Sequence, residues 1–437
     1  MKYYNLKDKE EVVDFKTATI KGQGKEKGLF FPENIPRFDP EFIKNLQQYS
    51  NEEIAFQCMI DFVGDDTPSD VLKQIVSETI NFEIPLKKIN ENIYSLELFH
   101  GPTLAFKDVG ARFMSRCLSY FLKDKNKKVT VLVATSGDTG GAVANGFYKT
   151  ENVNVVILYP KNRVSEVQEK QLTALGENIS ALEVDGSFDD CQNLVKQAFA
   201  DDDINSTFFL TSANSINIAR WLPQQIYYLL ALKQWQKLEK ENPVICAPSG
   251  NFGNLCAGIL TDFRGLPVEH FIAACNENDV VPQYLRTEKL ELKETIATLS
   301  NAMDVGNPSN FVRILELFGN QFNELKNKIS GYSINDKETL QTITKVYEKY
   351  NYLLEPHSAV AYAAMEQYLK ENPGKKGFIL GTAHPIKFPD AVKKATQITI
   401  NLPVSLEKLM KKEKKSIEIQ PDFAELKRFL LNKISKL

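Results

Sequence analysis

A chain of 437 residues, 43% hydrophobic and 25% charged, has the balance of a soluble globular protein and the length for two or three domains. A formal net charge of −3 gives no electrostatic footing for nucleic acid or an anionic membrane, although a local basic pocket for an anionic ligand stays open. Six cysteines without a C-x-x-C pair, and four histidines without H-E-x-x-H, give no metal site to expect.

The cysteines fall in apolar segments and read as small core residues of a reducing compartment. No run approaches the roughly 18 apolar residues of a membrane span, and the start lacks a signal-peptide core. The expectation is a cytoplasmic protein.

Residues 1–95 read as a mixed, mostly helical opening. Gly22, Gly24 and Gly28 mark a loop with tight turns, and their spacing is not that of a dinucleotide-binding fingerprint. Ser50-x-x-Glu53 is a capping-box pattern ahead of Ile54, Met59, Ile60 and Phe62. A second helix is expected from about Ser69, and Ile93 to Leu98 alternates like a strand.

That strand leads into Leu98–Phe113. There Lys107 stands between Phe106 and Asp108, after the turn-like Gly101-Pro102-Thr103 and before a helical face. A desolvated amine loses its proton more easily, and a neutral amine attacks carbonyls. Taken alone, Lys107 is open to two readings, a Schiff-base lysine or an ordinary solvated lysine in a first helical turn.

From about residue 129 the rhythm changes. Val129–Ala134, Val153–Leu158, Ile179–Val184 and Phe208–Leu210 read as strands, separated by helical patterns that include Val164–Leu175. One long helix is expected from about Ile218 to Lys240. Strands then follow at Val244–Ala247, Phe271–Ala274 and Gly377–Leu380, with helices around Phe311–Phe318, Lys337–Tyr350 and Ser358–Leu369. Apolar strands alternating with helices predict an α/β fold of parallel sheets covered by helices. Lys411, Lys412, Lys414 and Lys415 read as a solvated face before a closing helix around Phe423–Leu431.

Open parallel sheets bind ligands at the carboxyl ends of their strands. The Thr135–Gly141 and Ser249–Asn254 loops each follow a strand and open a helix. Each suits an anion, and each is also open to reading as an ordinary tight turn. Thr382 follows the last strand and could present a hydroxyl to a ligand. His384 is either a ligand contact or a locally satisfied turn residue. Asn214, Ser215, Asn217 and Arg220 cluster at a helix entry, where a guanidinium could fork onto a phosphate or only complete a cap. No G-x-S-x-G elbow supports a serine hydrolase, and no glycine fingerprint supports a nicotinamide dehydrogenase.

In order, ELFHGPTLAFKD, ATSGDTG, LTSANSINIAR, PSGNFGN and LGTAHP resemble the threonine synthases, most closely the microbial type with a long N-terminal segment. The opening to Glu33, Ala297–Asn310 and Glu355–Tyr362 are similar as well. The likeness is weakest after about residue 400.

The resemblance implies a fold type II pyridoxal phosphate enzyme, like the tryptophan synthase β subunit, with two parallel-rich sheet domains and an N-terminal domain. It implies an N-terminal unit over 1–95, a large domain over 96–129 and 213–410, a small domain over 130–212 and a helical tail over 411–437. Lys107 would be the Schiff-base lysine. Gly250, Asn251, Phe252, Gly253 and Asn254 would cradle the cofactor phosphate. Ser136 and Asp138 would flank the cofactor ring, and Thr382 would face its pyridine nitrogen.

Thr135, Ser136 and Thr139 would hold a substrate carboxylate, and Asn214, Ser215 and Arg220 a substrate phosphate. The implied reaction converts O-phospho-L-homoserine and water to L-threonine and phosphate, in a monomer without nucleic-acid or membrane partners. A phospholyase giving 2-oxobutyrate and a non-catalytic cofactor-binding relative are the alternatives.

Overall fold

The computed structural model describes residues 1–123 and 128–433. Residues 124–127 of the expected large domain and 434–437 of the expected tail lie outside the described residues. The chain starts with β1 (Lys2–Asn5), which pairs antiparallel with β2 (Val12–Asp14) and β3 (Phe30–Pro32). This small sheet adds to the expected helices, which lie at Asn51–Val63 and Ser69–Thr79. Strands of three or four residues are too short to show a period, so the sequence reading did not include them. The capping box forms: Glu53 N–H donates to Ser50 Oγ at 3.1 Å, and Ser50 N–H donates to Glu53 Oε2 at 2.7 Å.

Next come β4 (Leu86–Lys88) and β5 (Ile93–Glu97), then the run that builds the second sheet: β6 (Val129–Ala134), β7 (Val153–Pro160), β8 (Ile179–Val184) and β9 (Phe209–Thr211). After these follow β10 (Val244–Pro248), β11 (His270–Cys275), β12 (Ile329–Ser333), β13 (Gly377–Gly381) and β14 (Ser416–Ile419). The larger sheet has the order β12-β11-β10-β13-β5-β4, parallel except for the edge strand β4. The smaller has the order β14-β8-β7-β6-β9 and is parallel throughout. Helices cover both faces, which is why the strands are apolar on both sides. Among the described residues, no helix is long and apolar enough to cross a membrane.

Three local readings change. The expected helix from Ile218 to Lys240 is broken: Ile218–Trp221 and Gln225–Leu238 are joined by a tighter turn at Leu222–Gln224. Pro223 lies in that turn, where it has no N–H to give and its ring disfavours a continuous helix. The tail is not wholly helical, because β14 adds to the smaller sheet beside β8. Nor is Lys414 merely solvated, since its ammonium lies 2.7 Å from both Glu169 and Glu183.

All six cysteines are free and buried, as small core residues would be. The N-terminal unit is tied to the larger sheet by a buried cation. Arg264 is fully buried, 3.7 Å from the Phe38 ring centroid and 4.7 Å from that of Phe62. It donates to Pro36 O at 2.9 Å, Cys58 O at 2.8 Å and Gln225 Oε1 at 3.2 Å. Arg264→Met keeps most of the volume and leaves these acceptors unpaired. It should cost about 2–3 kcal/mol, read as a lower urea midpoint with little change in slope.

Candidate active site

Lys107 opens the helix Lys107–Leu122, and Phe106 offers no side-chain cap. The turn ahead of it is held from two sides. Phe106 N–H donates to Thr382 O at 2.9 Å, which ties it to the end of β13. Asp108 accepts from Thr103 N–H at 2.9 Å and from the Thr103 hydroxyl at 2.5 Å. The Lys107 side chain lines a cavity between the carboxyl ends of the two parallel sheets. Desolvation lowers its pKa from the ordinary lysine value to about 8. The Lys387 and Arg220 charges add to this, and Asp138 opposes it. The amine therefore gives up its proton far more readily than an ordinary lysine, although the ammonium is still the major form at neutral pH.

One helical turn after Lys107, Gly110 lets the next cation close in. A Cβ on Gly110 would meet Arg220 Nε at 3.0 Å and Arg220 O at 2.7 Å. Arg220 is buried and lines the same cavity, with Nη1 donating to Ala213 O and Nε left without a partner. Burial lowers its pKa to about 10, and Asp108 pulls the other way. Ser215 lines the cavity beside it, whereas Asn214 is not among the lining residues. Asn217 does not line the cavity either. It caps the helix through Ala219 N–H at 2.9 Å and donates to Thr19 O at 2.9 Å.

The turn after β6 places Thr135, Ser136, Asp138 and Thr139 on the cavity. Thr135 Oγ1 accepts the N–H groups of Gly137 at 3.0 Å and Gly140 at 2.8 Å, leaving its own proton to donate. Asp138 is buried. Burial alone would raise its pKa, but Lys387 and Lys107 hold the carboxyl well below the usual carboxylate range.

The turn after β10 brings Gly250, Asn251, Phe252, Gly253 and Asn254 to the cavity, at the uncapped start of the helix Gly253–Phe263. Its geometry leaves no room for larger residues. Phe252 is left-handed at φ 62°, and a Cβ on Gly250 would lie 2.7 Å from Met303 Cα. Asn254 uses Oδ1 to accept from Tyr228 at 2.8 Å, and its buried Nδ2 has no partner. An uncapped helix start with an unpartnered donor beside it suits an anion. Thr382 lines the cavity, whereas His384 is satisfied in its own turn, accepting Ile386 N–H at 3.1 Å.

Several lining residues escaped the sequence reading, among them Phe188, Gln224, Asn301, Met303, Asp304 and His357. His357 accepts Ala302 N–H on Nε2 at 3.1 Å, so its proton lies on Nδ1, 2.6 Å from Glu355. That pair pins the turn that carries Asn301 and Met303 over Gly250. The motifs at 297–310 and 355–362 were visible as resemblance, but nothing in their spacing assigned them a role. Lys387, fully buried, stands between Ile386 and Phe388, a more apolar local setting than that of Lys107.

Comparison with known proteins places this geometry. Residues 78–380 match the family model "Pyridoxal-phosphate dependent enzyme", residues 2–80 "Threonine synthase N terminus" and residues 358–430 "Threonine synthase, C-terminal". A threonine synthase of Buchnera aphidicola (subsp. Baizongia pistaciae) is 46% identical over 434 residues, covering 99% of this chain and 100% of that one. The crystal structure of the Escherichia coli threonine synthase superposes with a TM-score of 0.92 at 44% identity, covering 99% of this chain and 100% of that one. A PLP-bound threonine synthase from Brucella melitensis does so with a TM-score of 0.91 at 34% identity, covering 98% of each chain. With a buried lysine of lowered pKa, an uncapped helix start beside it and full-length similarity in hand, the chain belongs to the threonine synthase family of fold type II, pyridoxal phosphate-dependent enzymes.

Proposed function

We propose that this cavity carries out its family's reaction, converting O-phospho-L-homoserine and water to L-threonine and phosphate, with Lys107 as the amine that holds the cofactor and moves protons. The residues present suit pyridoxal phosphate. Lys107 supplies an amine for the aldehyde, and the uncapped helix start with the unpartnered Asn254 Nδ2 supplies donors for the phosphate. When bound, the cofactor supplies an electron sink for negative charge arising at the substrate Cα.

The chain's own residues divide the remaining work. Lys107, once free, takes the proton from Cα and later one from Cβ as general base. Gly250, Asn251, Phe252, Gly253 and Asn254 would hold the cofactor phosphate. Thr382 would offer the ring nitrogen a neutral hydroxyl, and Ser136 and Asp138 would lie beside the ring. Thr135, Ser136 and Thr139, whose hydroxyls lie at the cavity around the start of the helix Asp138–Phe147, hold the substrate carboxylate. Arg220 and Ser215 receive the substrate phosphate and stabilise the charge that grows on it as it leaves Cγ. Asn214 does not line the cavity and is left out of this role.

The observation that carries the reading is the contact across Gly110, which sets an unpartnered guanidinium N–H one helical turn from the lysine. A base for carbon acids and a receptor for a leaving anion then share one cavity.

Phosphate release from phosphohomoserine, assayed together with the organic product, should show threonine. Release accompanied by 2-oxobutyrate in place of threonine would overturn the hydration step. Lys107→Ala should lower turnover at least ~1,000-fold and abolish the cofactor's covalent attachment, seen as loss of a borohydride-fixed adduct. Arg220→Ala should raise KM for phosphohomoserine about 10- to 100-fold while the cofactor stays bound, and unchanged kinetics would remove Arg220 from the phosphate site. Gly250→Ala must displace backbone and should weaken cofactor affinity about tenfold or more in an absorbance titration.

A further inference from the structure

We propose that Lys387 is a positioning residue of this site: its ammonium engages the Asp138 carboxylate in a buried pair and so keeps that carboxylate from pairing with Lys107. The proposal rests on the reading of Lys107 as the reactive amine.

Lys387 is fully buried in the short turn Pro385–Lys387 that follows β13. Its Nζ lies 2.7 Å from Asp138 Oδ1 and 2.9 Å from Thr103 O. Asp138 belongs to the other sheet, at the start of the helix after β6. The pair therefore bridges the two halves of the cavity. A buried ammonium is expensive to desolvate unless it is paired, and the same holds for the carboxylate. Together they make a neutral unit, with one further donor to Asp138, the Gln168 Nε2 amide at 2.9 Å.

Lys107 is the second cation near this carboxylate. Among the described residues it makes no ion pair within 4.0 Å, and its ammonium lies 5.7 Å from the Phe106 ring centroid. The Asp138 charge favours a protonated Lys107, and the Lys387 charge opposes it. Without Lys387, Asp138 would keep one neutral donor, and Lys107 would be its available counterion. A lysine locked in that pair holds its proton, and its lone pair can neither add to an aldehyde nor accept a proton from carbon.

Lys387 also fixes the turn ahead of Lys107. Thr103 O, which accepts from Lys387, also accepts from Gln171 Nε2 at 3.0 Å, while Thr103 N–H holds Asp108 at 2.9 Å. The remaining charged or titratable groups around the cavity are Asp108 on the Lys107 helix, Arg220 against Gly110, and His357 and Asp304 on the far wall.

The test follows the pH dependence with which full-length, cofactor-stripped protein captures added pyridoxal phosphate. In capture the amine lone pair adds to the aldehyde carbon and the carbonyl oxygen leaves as water. Borohydride then delivers hydride to the new carbon–nitrogen double bond, and peptide mass mapping locates the adduct. The wild-type rate should rise with pH around a midpoint near 8.

Lys387→Met should move that midpoint up by about one pH unit or more, and Asp138→Asn should move it down. Lys387→Arg should stay within ~0.3 of the wild type, because it restores the pair. In the Asp138→Asn background, the Lys387→Met step should be distinctly smaller than in the wild type, since the carboxylate it releases is gone. Should Lys387→Met fail to fold, Lys387→Gln, which still donates to both oxygens, takes its place.

A midpoint unmoved or lowered by loss of the Lys387 charge overturns the proposal. So does an equal step in both backgrounds, which would mean that Lys387 acts on Lys107 directly. An adduct on another lysine instead overturns the reading of Lys107, and mapping distinguishes that failure from the other two.

Discussion

Putting three basic side chains out of water close together at one cavity, against the carboxylates of Asp108 and Asp138, is the constraint on which the site depends. Lys107, Arg220 and Lys387 face Asp108 and Asp138. Each uncompensated ammonium costs several kcal/mol to bury, so an excess of positive charge survives only where a rigid frame prevents collapse into pairs. Asp108 is held by Thr103, and Asp138 by Lys387 and Gln168. What remains uncommitted is a lysine that releases its proton readily and a guanidinium N–H with no partner. A net charge of −3 over the whole chain hides this local excess.

The frame comes from backbone more than from side chains. Parallel strands deliver their carboxyl ends to one side, and the turns after β6, β10 and β13 all open there. Glycine at 110 and 250 brings main chain within contact of Arg220 and Met303, distances that any side chain would forbid. Side chains then refine a surface already rich in N–H groups. That is why ligand anions and cavity loops can be matched without a metal ligand set.

Much of this was legible in the sequence because its strongest signals are local. Continuous apolar runs gave the parallel strands, and glycine-hydroxyl turns directly after them gave the loops. The setting of Lys107 left two readings open, and the family motifs around it chose between them. What escaped was set by tertiary context. β12 and β14 are short segments made strands by the neighbour they pair with, β11 or β8. Pro223 interrupts an otherwise continuous apolar helical pattern, and its effect depends on where the turn is tolerated. The partnership of Lys387 with Asp138 joins positions on different sheets, and spacing carries no trace of it. Asn214 shared every local feature of Ser215, but the turn aims only one of them at the cavity.

The first thirty-odd residues have a clearer role when followed inward from their surface. Arg313 is fully buried and donates to Phe30 O at 3.0 Å, to Ile216 O at 2.7 Å and to Ser215 O at 3.2 Å. Its guanidinium lies 4.4 Å from the Trp221 ring centroid, and desolvation lowers its pKa to about 9. One cation thus clamps β3 of the N-terminal sheet to the turn that presents Ser215. Asn217, reaching Thr19 O, adds a second clamp from the same turn. Arg220 follows that turn directly, so its position depends on contacts with a segment far from it in sequence. The N-terminal segment is therefore part of the frame of this cavity, and the lysine and the guanidinium that share it are held from opposite ends of the chain.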